Sequence, residues 1–152
     1  MKTYLLLALI VLLLLGLVAW FFRPELPTTD VVLADDVALY IPDQRAGGQL
    51  VGAVVSTPSG GFVIVHERTE AGAGAIIGGT GLLPPGRVDA FAIPLERDAA
   101  DGEWLYAMLY ADTDGNGDFT AGADQPMRDS AGATVYGILQ TRSDLPKYRA
   151  RE

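Results

Sequence analysis

An all-β fold is what the sequence predicts: an antiparallel, immunoglobulin-like or cupredoxin-like β-sandwich of about seven short strands, preceded by one N-terminal transmembrane helix. Three observations point there. Short apolar runs recur along the chain after residue 36, and several alternate with period two. The 18 glycines and 9 prolines fall largely in clusters between those runs, where turns are needed. No stretch between the runs shows the i, i+3, i+4 spacing of an amphipathic helix. A small closed barrel is the alternative arrangement of the same strands.

The N-terminal element comes first. Residues 4–22, YLLLALIVLLLLGLVAWFF, carry no charge. At helical rise they span about 28 Å, close to the hydrocarbon thickness of a bilayer. Lys2 precedes the run, Trp20, Phe21 and Phe22 end it as an interfacial belt would, and Arg23 with Pro24 stops the helix. A cleaved signal peptide is the rival reading. It needs small residues at its cleavage site, and the best candidate, Leu17-Val18-Ala19, is followed by three bulky aromatics. Residues 1–23 therefore read as an uncleaved signal anchor. It places the N-terminus in the cytoplasm and the rest of the chain outside the cell membrane. Residues 24–35, with two prolines and two threonines, read as an extended linker.

Residues 36–140 read as the domain. Its strands are expected at 37–41, 50–55, 62–67, 76–77, 88–95, 104–111 and 134–140. Turns at Gly47-Gly48, at 58–61 (Pro-Ser-Gly-Gly) and at 84–86 (Pro-Pro-Gly) separate several of them. The most apolar run, 104–111, reads as a central strand. The core is expected to draw on Leu39, Ile41, Val54, Ile64, Phe91, Ile93, Leu105, Ala107, Leu109, Val135 and Leu139. Residues 141–152 read as a charged tail.

The formal net charge is −8. Without the segment carrying Lys2 it is −9, 10 basic residues against 19 acidic ones. Such a surface repels phosphate backbones, so nucleic acid is not an expected partner. There is no cysteine, which excludes disulfides, thiolate nucleophiles, iron–sulfur clusters and a lipid-anchored cysteine.

The order and punctuation of the strands carry a resemblance. The residues concerned are Asp43-Gln44, the run Gly61-Phe62-Val63-Ile64-Val65-His66, Ile77-Gly78, Ala107-Met108-Leu109 with Asp112, and Asp124-Gln125-Pro126 with Gly132. Together they resemble an uncharacterised family of β-sandwich domains from prokaryotic cell-surface and exported proteins, including those of halophilic archaea. The resemblance covers about residues 36–140. It implies an exported β-sandwich and no established activity. That family often carries histidine where this chain has Tyr110, so a metal or proton-transfer role built on that histidine does not transfer.

The strongest chemical signal is the loop DTDGNGDFTAGAD, residues 112–124. Asp112, Asp114 and Asn116 stand at positions 1, 3 and 5 of an EF-hand-like pattern, with Gly117 at 6 and Asp118 at 7. Oxygen ligands at alternate positions on a tight turn can converge on one Ca²⁺. The acid expected at position 12 is replaced by Ala123, and Asp124 falls one residue late. The tentative calcium ligands are therefore Asp112, Asp114, Asn116, Asp118 and Asp124. The rival reading is a polar hairpin loop whose aspartates make Asx turns.

Other signals are weaker. His66 is the only histidine, so a blue-copper site cannot be assembled. It reads as a strand residue bonded to a neighbouring loop, with a His–carboxylate site as the alternative. The glycines at 72, 74 and 78 lack both the dinucleotide-binding spacing and the Lys-Ser/Thr of a P-loop. No serine lies in a nucleophile elbow. Trp104, Tyr106, Met108 and Tyr110 alternate along one strand and line the core or one sheet face, a carbohydrate platform being the alternative. The expected function is a membrane-anchored, non-enzymatic binding, adhesion or scaffold module. It would be held by residues 4–22 and turned toward a protein or surface partner that the sequence does not name. A calcium-stabilised version of that module is the second reading, and a metal-dependent hydrolase the weakest.

Overall fold

The computed structural model describes residues 37–146. The expected anchor at 4–22, the linker at 24–35 and residues 147–152 of the tail lie outside the described residues. The described part is all β: β1 (Ala38–Tyr40), β2 (Gln49–Thr57), β3 (Phe62–Thr69), β4 (Gly72–Gly79), β5 (Gly86–Pro94), β6 (Trp104–Ala111), β7 (Gln125–Pro126) and β8 (Tyr136–Gln140). They form two antiparallel sheets. One has the order β1-β2-β5; the other has β4-β3-β6, with both β7 and β8 pairing along the far edge of β6.

The strands expected from apolar runs are present, and two differences have physical causes. The strand expected only at 76–77 extends over all of β4, because Gly72, Ala73 and Gly74 have little to bury but still offer backbone groups to β3. The stretch between the strands expected at 104–111 and 134–140, where no strand was expected, holds the two-residue strand β7, which docks on Tyr110 and Ala111.

The inner faces of the sheets enclose one core. The three-stranded sheet supplies Leu50, Val55 and Ile93, and the larger one supplies Val63, Val65, Leu105, Ala107, Leu109 and Leu139, all fully buried. Val54, expected in the core, is only half-buried; its neighbour Val55 takes that place. The cause is a break in the pleat. Ala90 in β5 has φ 53°, and the pair Ala53–Ala90 drops out of the ladder between Gly52↔Phe91 and Val54↔Asp89. Inward-facing residues therefore fall at Leu50 and Gly52 before the break and at Val55 and Thr57 after it. At Gly52 the Phe91 ring occupies the space where a Cβ would stand, so only glycine fits beneath it.

Ile64 is buried as expected, but on the opposite side of the sheet from Val63 and Val65. Residues 62–66 of β3 are all buried, which an alternating strand achieves only when both its faces are covered.

A candidate binding face and the acidic loop

Cross-strand register defines the outer face of the larger sheet. Phe62 lies opposite Tyr110, Ile64 opposite Met108 and His66 opposite Tyr106. On the other side of β6, Met108 lies opposite Tyr136, Tyr106 opposite Ile138 and Trp104 opposite Gln140. The aromatic alternation Trp104, Tyr106, Met108, Tyr110 thus lines a sheet face, not the core.

One end of this face is roofed by the acidic loop. Phe119 reaches back from the loop and packs edge-on against Phe62, at 5.9 Å between centroids, and against Tyr110, at 5.1 Å. Beneath it the His66 ring is buried. Its Nδ1 lies 3.1 Å from the Gly74 carbonyl oxygen, which can only accept, so Nδ1 carries the proton. Nε2 then accepts from the Tyr110 hydroxyl at 3.2 Å. Burial pushes the Tyr110 hydroxyl above the usual tyrosine pKa. His66 is a strand residue as the sequence favoured, but its partners lie on the neighbouring strands β4 and β6 and not on a loop, with both ring nitrogens engaged.

The loop is organised by its own carboxylates. Asp112 accepts from the N–H groups of Gly115 (2.8 Å) and Gly117 (3.0 Å). Asp114 accepts from the backbone N–H of Asn116 at 3.2 Å and from its side-chain amide at 2.9 Å, and the Asn116 oxygen accepts from the Asp118 N–H at 2.6 Å. Gly115 and Gly117, with φ 72° and 81°, supply the left-handed turns. Asp124 is buried and closes the loop, accepting from Thr120 N–H at 2.7 Å and Thr113 N–H at 2.9 Å. These bonds, that from Thr120 foremost, hold its carboxyl below the usual aspartate range.

The structure brings three of the five candidate calcium ligands together: Asp112, Asp114 and Asp124 each offer a carboxylate oxygen, all within 4.8 Å of one another. The one-residue displacement of Asp124 is absorbed by the loop's path. Asn116 stands beside Asp114, and the exposed Asp118, which at position 7 would offer its backbone carbonyl, adds no carboxylate to that group.

The other end of the outer face is bare. Trp104, Tyr136 and Ile138 are each 40 % or more exposed, and the Tyr106 and Tyr136 rings meet at 5.4 Å. The Arg68 guanidinium lies 5.3 Å from the Trp104 ring centre and 6.0 Å from that of Tyr106. Along the rim, Arg97 bridges Glu67 and Glu103, and its hydrogen bond holds the Glu103 carboxyl below the ordinary value. Phe119, Arg68 and Tyr136 were not singled out in the sequence. Two of them had a signal: Phe119 is the one large apolar residue in residues 112–124, and Arg68 continues the Phe62, Ile64, His66 alternation of β3.

Fold and site together define a small antiparallel β-sandwich whose larger sheet is half roofed by an acidic loop and half bare. The chain belongs to the family described as domain of unknown function DUF7282, whose model matches residues 38–139. No curated protein and no solved structure matches the chain.

Proposed function

We propose that this chain is a membrane-anchored, extracytoplasmic module of immunoglobulin-like type with a non-enzymatic binding role at a prokaryotic cell surface. The observation that carries the binding role is the bare aromatic half of the outer face. A sandwich gains no stability by leaving Trp104 and Tyr136 in water, and clustered exposed aromatics are the mark of a contact surface. The anchoring rests on the uncharged run at residues 4–22. Fractionation with N-terminal sequencing tests the anchor: the chain is expected in the membrane pellet with its first residues intact. A mature chain beginning near Trp20 or beyond refutes it. Retention of cell-surface material on the immobilised full chain tests the binding role. Equal retention by wild type and Trp104→Ala refutes that part.

A second reading, structural calcium in the 112–124 loop, is favoured by the approach of Asp112, Asp114 and Asp124. Three carboxylates this close repel one another, and a divalent cation relieves that repulsion. Binding to the folded state alone raises stability as the ligand concentration exceeds Kd. Affinity on the order of 10⁻⁴ to 10⁻³ M is expected, as in extracellular modules. Thermal melting of the full chain in millimolar calcium against chelator, with Asp114→Ala as control, is the measurement. An unchanged wild-type Tm leaves the loop as a polar hairpin held by its own Asx turns.

A further inference from the structure

We propose that the bare half of the outer face is a binding site for a neutral saccharide chain, seated on Trp104, Tyr106 and Tyr136 and held by Arg68 and Glu70. The inference rests on the binding role proposed above and names its ligand class.

The shape comes from the sheet. Trp104 and Tyr106 are two residues apart on β6 and so point the same way, and Tyr136 joins them from β8. Beside the two β6 rings, toward the end of β3, an open hollow of about 580 Å³ is walled by Arg68, Glu70 and Glu103. That volume falls in the size range of small-ligand sites. The core of a protein–protein interface is also depleted of charge, whereas charged side chains line this hollow.

The chemistry narrows the occupant. A pyranose ring has an apolar C–H face and a rim of hydroxyls. Half-exposed aromatic rings take the first, and groups with spare hydrogen-bonding capacity take the second. The Arg68 guanidinium makes no hydrogen bond or ion pair to any described residue and lies beside the Trp104 and Tyr106 rings. Its N–H donors are free for ligand oxygens. Glu70, likewise without a described partner, accepts from ligand hydroxyls, and such charge-assisted bonds are the stronger kind.

Charge decides the rest. A net charge of −8, with Glu67, Glu70 and Glu103 at the hollow, disfavours an anionic chain. A cationic ligand is disfavoured because the Arg68 guanidinium already places a positive charge beside Trp104 and Tyr106. A neutral polyhydroxylated chain meets neither penalty.

The test is calorimetric and fluorescence titration of the full chain in detergent. The probes are hexasaccharides of the cello, manno and chito series, with a hexagalacturonate and a fully deacetylated chitosan hexamer as charged controls. Saturable binding of at least one neutral hexasaccharide is expected. Trp104→Ala should weaken it tenfold or more and Tyr136→Ala several-fold, with circular dichroism and Tm unchanged. No saturable binding by any neutral hexasaccharide overturns the proposal, as does undiminished affinity in Trp104→Ala or tighter binding of either charged control. Surface capture separates this failure from that of the binding role. If no saccharide binds while a surface protein is still retained in a Trp104-dependent way, the face is a protein interface. The saccharide assignment then falls while the binding role stands.

Discussion

Strand β6 presents an aromatic residue to the outer face at each end, and the two ends meet different surroundings. At Tyr110 the ring lies under Phe119 and its hydroxyl is bonded to a buried histidine. At Trp104 the ring is 45 % exposed and touched by a single arginine. Residue type and strand position do not separate these ends. What separates them is a loop some ten residues further along, whose carboxylates fold it tightly enough to carry Phe119 back over the sheet. On the inner face of the larger sheet the alternation of side chains decides burial by itself. On the outer face burial is decided by whichever segment returns to cover it.

The largest effect expected belongs to the inner face. Leu109 is fully buried between the sheets, and Leu109→Ala should cost about 2–5 kcal/mol in denaturant unfolding. The roofed end comes next. Phe119 is half-buried, so Phe119→Ala should cost about 1–2 kcal/mol. Amide exchange should quicken selectively in the loop and around His66; if it stays slow there, Phe119 is not the latch.

The roofed end also responds to pH at both extremes. Asp124 has a folded pKa below the ordinary 3.8, so its contribution is present above that value and is lost as the pH falls through the folded pKa. Tyr110 has a folded pKa above the ordinary 10, so stability holds below pH 10 and falls as the pH rises through the folded value. Unfolding midpoints measured across pH should show both flanks. Tyr110→Phe should flatten the alkaline one, and a flank unchanged by that substitution points to another group.

The smallest effect on stability is expected at the bare end. Tyr136→Ala should change it by less than about 0.5 kcal/mol, because the ring is half in water. A loss comparable with that of Phe119→Ala means the ring is structural and removes the contrast between the two ends.

The sequence carried the inner face well. Leu105, Ala107 and Leu109 alternate with aromatics, and all three are buried as that pattern requires. It misplaced Val54 because the break opposite it depends on a positive φ at Ala90, and alanine gives no sign of that conformation as glycine or asparagine would. The acidic loop was legible as a cluster of oxygen ligands. Asp124, although it falls one residue after position 12 of an EF-hand pattern, was counted among those ligands, and it meets Asp112 and Asp114. The roof over Phe62 was hidden for a general reason: contacts made by a returning loop leave no periodicity in either segment.

The two ends of the domain are fastened to each other. The Asp43 carboxylate accepts from Gln140 N–H, Gln44 N–H donates to the Gln140 carbonyl, and Arg142 N–H donates to the Gln44 carbonyl. These incoming and outgoing segments run parallel, with Gln44 beside Thr141. When force is applied across the two ends of the domain, parallel neighbours are pulled along their length in opposite directions. The bonds between them are then loaded in shear and share the force, instead of opening one after another as a zipper would. Under tension the module should therefore resist as a single unit until this clasp gives way.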